Sequence, residues 1–341
     1  MNKENIAMER DKYWDSLKFV LIFIVVYGHI VSHYLGNSHY NMAIYNLIYL
    51  FHMPLFIFIS GRFSHVRDVK KYKKGIIRLA ETYVVFQIIR TFVSVYFENS
   101  NFTIECLTKP AWTLWYLVVL IYWRIFLYTI HGKKCSEWIH QHKCKVIIAS
   151  LCISVIAGFI PFNFLAIQES LSFLPFFVMG YFSVDYNIKE KINKIHIVYP
   201  LSFMFVLFVL LYFVYTNLDY VHHCSFTYWT DDTAHTILRL GLRCIFLPVA
   251  IFLCLSVMRL VPSNNVIAKW GSATMFIFIY HSFALRGILF PLTVSNAIMQ
   301  HPVMLFVHAV IVTACMIILS RSKFLNMLMN PISKTKQFIF P

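Results

Sequence analysis

The sequence predicts an all-α integral membrane protein that crosses the bilayer about ten times. Of its 341 residues, 59% are hydrophobic and 13% are charged, whereas a soluble protein has about 25% charged residues to keep its surface wet. A membrane helix needs about 20 mostly apolar residues, and the fifth apolar run here is short and ends at Pro161. The ten runs are 17–35, 43–61, 79–97, 113–131, 146–160, 169–185, 197–217, 236–258, 270–288 and 302–320.

The distribution of positive charge predicts that both termini are cytoplasmic. The net charge is +15, and most Lys and Arg residues lie in alternate segments between the apolar runs, which is typical of cytoplasmic loops. In the intervening segments, Lys109 is the only Lys or Arg. This pattern argues against nucleic acid as the partner of the positive charge. With no linker in view, we expect one membrane-embedded domain over residues 1–341, with the lipid bilayer as its first partner.

Several function classes lack their usual motifs. The eight cysteines form no CxxC pair and no zinc-type spacing with histidine, so we expect no metal site. No GxSxG, HExxH, Walker or dinucleotide glycine motif is present. A serine hydrolase, a zinc enzyme and an NTPase are therefore disfavoured. His222 and His223, in a segment predicted to lie outside, are interpreted as solvated.

The first run carries the most informative polar residues. Lys18 and His29 are eleven residues apart, close to three helical turns, so they share one face about 16 Å apart. Asp15 lies near the same face. Ionisable groups at membrane depth are costly and normally line a cavity, which makes these three residues catalytic candidates. A packing role for His29 and an interfacial, snorkelling role for Lys18 remain alternatives.

The second and third runs supply candidates for substrate and donor binding. Pro54 kinks the second run and opens room that His52 could line, although a structural role for His52 fits equally. The basic segment 62–78 either anchors the chain to anionic lipid or binds the phosphates of a nucleotide-type donor. Under the second interpretation, the donor-binding residues are Lys73, Lys74 and Arg78.

Later runs add further candidates. Trp115 opens the fourth run, either as part of an interfacial aromatic belt or as a surface that stacks on a sugar. The eighth run begins after Asp231 and Asp232 and carries a polar stripe that includes Arg239 and Arg243, which suggests a lining for an anionic acceptor or its lipid pyrophosphate. His281, deep in the ninth run, is a second catalytic candidate.

At these residues the chain resembles acyltransferase family 3, a family of membrane-bound O-acyltransferases, and in particular its fucose 4-O-acetylase-like branch. The resemblance extends over nearly the whole chain. One departure is the lack of the proline that many members have four residues after Arg78, where this chain has Thr82. The matching segments are residues 15–19 with 27–29, 51–56 with 60–61, 115–117, 176–177 with 180–181, and 271–272 with 280–281.

The resemblance implies an enzyme with about ten helices, no bound cofactor, acetyl-CoA or a related acyl-CoA as co-substrate, and a carbohydrate hydroxyl as acceptor. It maps the family's basic-x10-histidine pattern onto Lys18 and His29, and its basic pair at the third helix onto Lys74 and Arg78. We therefore expect O-acetylation of a cell-surface or lipid-linked carbohydrate at the bacterial inner membrane, with His29 as general base.

Other interpretations stay open at this point. The acyl group could be succinyl, the acceptor could be something other than a glycan, and transfer could pass through an acetyl-histidine. A secondary transporter would also have about ten helices and charged residues at mid-depth. A scaffold or export partner without chemistry would leave the stripe of Asp15, Lys18 and His29 unexplained.

Overall fold

The computed structural model describes residues 11–36, 38–97, 101–161, 164–216, 218, 227–228, 233–293 and 297–332. Within these ranges the chain is helical and has no β-strand, which confirms the all-α prediction. His222, His223, Asp231 and Asp232 lie outside the described residues. The helices in chain order are α1 (Lys12–His33), α2 (His39–Arg62), α3 (Val69–Phe97), α4 (Glu105–Thr108), α5 (Trp115–Ile130), α6 (Lys134–Gln141), α7 (Lys143–Ile156), α8 (Ile167–Ser172), α9 (Leu174–Phe182), α10 (Ile188–Asn193), α11 (Val198–Val214), α12 (Thr233–Leu260), α13 (Asn265–Ala268), α14 (Thr274–Ala284), α15 (Phe290–Thr293), α16 (Pro302–Leu319) and α17 (Lys323–Met329).

Six helical segments in the described part of the chain are long and apolar enough to cross a membrane, and the pair α6 and α7, bent by 93°, raises this number to seven. The chain is therefore a multi-pass membrane protein, while ten crossings and cytoplasmic termini stay predictions. The predicted run 169–185 is divided between α8 and α9, and α11 is a shorter apolar helix. The six segments are Lys12–His33, His39–Arg62, Trp112–Ile130, Thr233–Leu260, Asn265–Thr293 and Pro302–Leu319.

The described residues divide into two compact units that share α2 and α12. The first unit comprises Met1–Phe56, Ile188–Asn217 and Phe252–Ser320. Its central element is α1, which packs against α13, α14 and α16. Asp11 caps α1 by accepting a hydrogen bond from the backbone N–H of Tyr13, and the Tyr13 hydroxyl donates to the carbonyl of Met258 at 2.6 Å. These contacts fix the start of α1, and with it the position of its polar stripe.

The second unit comprises Ile57–Asn187, Leu218–Ile251 and Arg321–Pro341. In it α3 packs against α5 and α17, and α7 packs against α9. The end of α2 meets α9 at two glycines, because a Cβ on Gly61 would collide with the Phe177 carbonyl and one on Gly180 with the Phe58 carbonyl. Glycine is needed where two backbones approach this closely. Residues 60–61 and 180–181, two of the segments that carry the resemblance, therefore lie at this packing contact.

Candidate functional site

Three histidines of the first unit lie together on α1, α2 and α14. The rings of His29 and His281 are 5.2 Å apart between centroids, and those of His29 and His52 are 6.3 Å apart. His281 is fully buried, His52 is buried and His29 is half-buried. The folded chain thus brings two predicted catalytic residues and one predicted substrate-binding residue into one cluster, which we call the histidine cluster.

A glycine sets the distance between the two helices that carry His29 and His52. A Cβ on Gly28 would lie 2.9 Å from the Ile48 side chain and 3.3 Å from the Tyr49 ring. Gly28 therefore lets α1 approach α2 at the level of the neighbouring His29. The Tyr49 hydroxyl lies 2.9 Å from His29 Nδ1, so the close approach creates a hydrogen bond that orients the imidazole.

Backbone carbonyls determine which nitrogen carries the proton in two of the three histidines. His281 Nδ1 lies 2.9 Å from the Ile277 carbonyl, and His52 Nδ1 lies 3.0 Å from the Ile48 carbonyl. A carbonyl oxygen can only accept, so Nδ1 carries the hydrogen in both rings. In the neutral imidazole, Nε2 is then the basic nitrogen. His281 Nε2 is buried and has no hydrogen-bond partner among the described residues.

Asp15 and Lys18 form an ion pair at the opposite end of α1. Lys18 Nζ lies 2.7 Å from Asp15 Oδ1, and the Asp15 side chain is 5% exposed against 27% for Lys18. The segment Lys269–Ala273 covers the aspartate, since a Cβ on Gly271 would lie only 2.6 Å from the Asp15 carbonyl oxygen. Ser16 adds a second connection by donating to the Asn264 carbonyl at 3.0 Å. The predicted stripe is therefore held in place at its start by α13 and the segment that follows it.

The predicted donor-binding residues lie in the second unit on the first half of α3. Lys73, Lys74 and Arg78 are all exposed. Lys74 and Arg78 are four residues apart, so they share one face of the helix. This basic face has the geometry to bind phosphates or anionic lipid.

A cavity of about 260 Å³ lies in the second unit beside the start of α6 and is lined by residues that include His65, His131, His140 and Tyr181. His65 stacks on Tyr181 at 4.1 Å and its Nε2–H donates to the Tyr181 carbonyl at 3.0 Å. His140 Nε2 lies 3.1 Å from the Tyr181 hydroxyl. The cavity is therefore polar and walled by flat rings.

Burial shifts the pKa of two side chains near this cavity, both outside the membrane-spanning segments. It lowers the pKa of His65, an effect that the Tyr181 carbonyl and Asp185 oppose and that His140 and Arg67 reinforce. It also raises the pKa of Tyr72 to about 12, against the opposing charge of Arg124. At neutral pH both side chains are therefore uncharged.

The remaining predicted substrate-binding residues lie in the second unit. Trp115 stacks on Phe173 at 5.4 Å. Arg239 donates to the Thr227 carbonyl at 3.0 Å, whereas Arg243 is fully buried. Arg239 and Arg243 thus differ in environment although they share a helix face. Their role in binding an acceptor stays a prediction.

Tyr49 is the site residue that reasoning from the sequence missed. It precedes His52 by three residues on α2, a spacing that puts both side chains on one helix face, and their rings are 4.6 Å apart. That spacing is a signal the sequence does contain. Among the described residues, no group of three or more His, Cys, Asp or Glu side chains could hold a metal ion.

The fold defines a multi-pass membrane protein, and its first unit holds a cluster of three histidines, two of them buried. The Acyltransferase domain of acyltransferase family 3 matches residues 11–321. The chain therefore belongs to acyltransferase family 3 and is an acyltransferase. The match spans both compact units. Neither a curated protein nor a solved structure matches the chain, and the fucose 4-O-acetylase-like branch stays a prediction.

Proposed function

We propose that the protein is an O-acetyltransferase of the bacterial inner membrane, which moves an acetyl group from cytoplasmic acetyl-CoA to a hydroxyl of a cell-surface or lipid-linked carbohydrate. The observation that carries this proposal is the histidine cluster, with His29 and His281 5.2 Å apart inside the first unit. A neutral imidazole is the side chain best matched to removing a hydroxyl proton near pH 7. Membership of the family supports the enzyme over the transporter interpretation.

In the proposed reaction, His29 is the general base. The acceptor hydroxyl oxygen attacks the thioester carbonyl while its proton passes to His29. The carbon–sulfur bond then breaks, the sulfur takes a proton from the imidazolium, and the acetyl ester and free CoA leave. In the proposed tautomer, His29 Nδ1–H donates to the Tyr49 hydroxyl oxygen, 2.9 Å away, which leaves Nε2 as the basic nitrogen for this transfer.

The other two histidines of the cluster support the base. The tautomers fixed by Ile277 and Ile48 leave Nε2 of His281 and His52 as hydrogen-bond acceptors. These two nitrogen atoms can accept a hydrogen bond from a hydroxyl of the carbohydrate, or from His29 once it is protonated. We assign His281 to the catalytic group and His52 to acceptor positioning. Asp15 and Lys18, joined at 2.7 Å, order the donor entrance at the other end of α1.

The donor phosphates bind the basic face of α3 in this proposal. Arginine binds phosphate through two parallel hydrogen bonds, and lysine acts as a point charge. Exposed Lys73, Lys74 and Arg78 supply both kinds of contact. Trp115, Arg239 and Arg243 are assigned to the carbohydrate acceptor, through stacking and charge.

The test is mass spectrometry of surface glycans from cells with the wild-type chain, with the His29→Ala variant, and without the chain. His196→Ala, an exposed histidine outside the cluster, is the matched control. We expect the mass increment of one acetyl group per modified sugar only with wild type and the control. Its presence with His29→Ala at wild-type level would refute the assigned base, and its absence from every glycan with wild type would redirect the search to a non-glycan acceptor.

A further inference from the structure

The segment after His281 leaves the α-helical geometry just where it passes the end of α1. Residues Leu285–Leu289 form a π-helical turn, closed by the Phe290 N–H on the Leu285 carbonyl. A π-turn holds one more residue than an α-turn and is often found at functional sites. The extra residue changes which side chains of the following segment meet α1.

Two contacts join this segment to the end of α1. Phe290 stacks on His33, with centroids 3.8 Å apart and planes 6° apart, and the Thr293 hydroxyl is hydrogen bonded to the Tyr34 hydroxyl. Stacking covers a face of the His33 ring and leaves its edge, which holds both nitrogens, uncovered by Phe290. His33 therefore presents a polar edge beside the π-turn.

Arg286 lies in the π-turn four residues before Phe290, whose ring stacks on His33, and this places the Arg286 charge near the His33 ring. Both side chains are exposed. Residues 16–56 and 252–320 contain no Asp or Glu. No carboxylate side chain of these segments can therefore neutralise Arg286, and the surface that they form around His33 is neutral or positive. A basic pair on such a surface attracts anions.

The position of this pair relates it to the histidine cluster. His33 follows His29 by four residues, which is one helical turn or about 6 Å along α1. Exposure increases along α1 from half-buried His29 to exposed His33, whereas His281, beside His29, is buried. A substrate whose hydroxyl reaches His29 from this end would keep its adjoining groups beside His33 and Arg286.

We propose that His33 and Arg286 form an oxyanion subsite that holds a phosphoryl or carboxylate group of the acceptor while its hydroxyl lies at His29. The guanidinium supplies a planar pair of donors and the imidazole a further one. The acetyl acceptor is accordingly an anionic molecule, and its negative charge belongs either to a lipid-linked phosphate or to an acidic sugar. That the bound anion is the acetyl acceptor rests on the proposed function, whereas anion binding by His33 and Arg286 does not.

The experiment measures anion binding to the full chain in nanodiscs of zwitterionic lipid by titration calorimetry. The probes are inorganic pyrophosphate for the phosphoryl source and glucuronate for the carboxylate source. We expect wild type to bind at least one probe, and Arg286→Gln and His33→Gln each to weaken that binding about tenfold, by loss of a charge-assisted hydrogen bond. Arg321→Gln, an exposed arginine outside the subsite, should bind as wild type does.

The outcomes separate this proposal from the proposed function. No binding to wild type, or unchanged binding to Arg286→Gln, overturns the subsite. Normal probe binding by a chain that acetylates no glycan would sink the proposed function and leave the subsite standing.

Discussion

His29 on α1 and His281 on α14 lie with their ring centroids 5.2 Å apart and their planes inclined by 33°. Two imidazolium charges at this separation would repel by about 3 kcal/mol at an effective dielectric constant of 20. The pair therefore favours states with at most one added proton. In the proposed reaction that proton comes from the hydroxyl of the carbohydrate. It is held by one of the two rings, and the other ring stays neutral.

Replacing the two histidines separately should distinguish their roles. His29→Ala removes the proposed base and should lower the acetyl-transfer rate by about 10²- to 10⁴-fold, the usual contribution of a positioned base. His281→Ala should lower it less, because it removes a supporting acceptor of hydrogen bonds. The measurement is acetyl transfer from labelled acetyl-CoA in membranes with equal amounts of each variant. Near-normal transfer by His29→Ala together with its loss in His281→Ala would reverse the assignment.

Tyr49→Phe should slow transfer while the histidine cluster stays packed. The phenyl ring keeps its contact with His52, but the hydrogen bond to His29 Nδ1 is lost. We expect kcat to fall by about tenfold, less than when the base is removed, because His29 is still present but poorly oriented. The KM for acetyl-CoA should change little. Tyr40→Phe, an exposed tyrosine at the start of α2, is the control. A raised KM with unchanged kcat would assign Tyr49 to donor binding.

The sequence predicts one helix of the site well and the relations between helices poorly. Periodicity alone puts Lys18 and His29 on one face of α1, and the ion pair of Asp15 with Lys18 is local. The approach of His281 to His29 depends on packing between segments about 250 residues apart, which no local pattern encodes. The tautomer of His281 depends on the Ile277 carbonyl, and only the folded helix shows that this carbonyl is its partner.

Gly271→Ala should destabilise the first unit. The new Cβ would lie 2.6 Å from the Asp15 carbonyl oxygen and 2.8 Å from the Asp15 Cβ, so α1 would have to shift. Overpacking of this kind costs about 1–3 kcal/mol of unfolding free energy. Thermal unfolding in nanodiscs measures the loss.

The matched control is Gly241→Ala, where the added Cβ has no neighbour within 4 Å among the described residues. In a helix this change should be neutral or stabilise by about 0.5–1 kcal/mol. Equal unfolding temperatures for the two variants would show that the contact of Asp15 with Gly271 does not constrain α1.

His65 should make the stability of the second unit depend on pH. Burial lowers its pKa below the ordinary value of 6.5, so the unfolded chain binds the proton more tightly than the folded chain. The His65 contribution is therefore complete above pH 6.5 and is lost as the pH falls through the lower, folded pKa. Thermal unfolding of wild type and His65→Gln between pH 7.5 and about pH 5 measures it.

In that comparison, His65→Gln should show a shallower loss of stability than wild type over the window below pH 6.5. His196→Gln, which alters an exposed histidine, should follow the wild-type curve. Identical slopes for His65→Gln and wild type would mean that His65 protonates equally well in the folded chain.

The segment of α8 and α9 should cross the membrane as one broken span. Together the two helices cover residues 167–182, about 24 Å of helix by its rise per residue, which is shorter than the 30 Å hydrocarbon core. The polar side chains of Gln168, Glu169 and Ser172 are buried, so protein rather than lipid surrounds the break, the condition under which broken helices are tolerated.

Ten crossings require residues 164 and 194 to lie on opposite sides of the membrane. Alkaline phosphatase fused after residue 164 should be active, and green fluorescent protein fused after residue 194 should fluoresce. Activity of phosphatase at both positions would make this segment re-entrant, reduce the number of crossings and reverse the predicted side of every later loop.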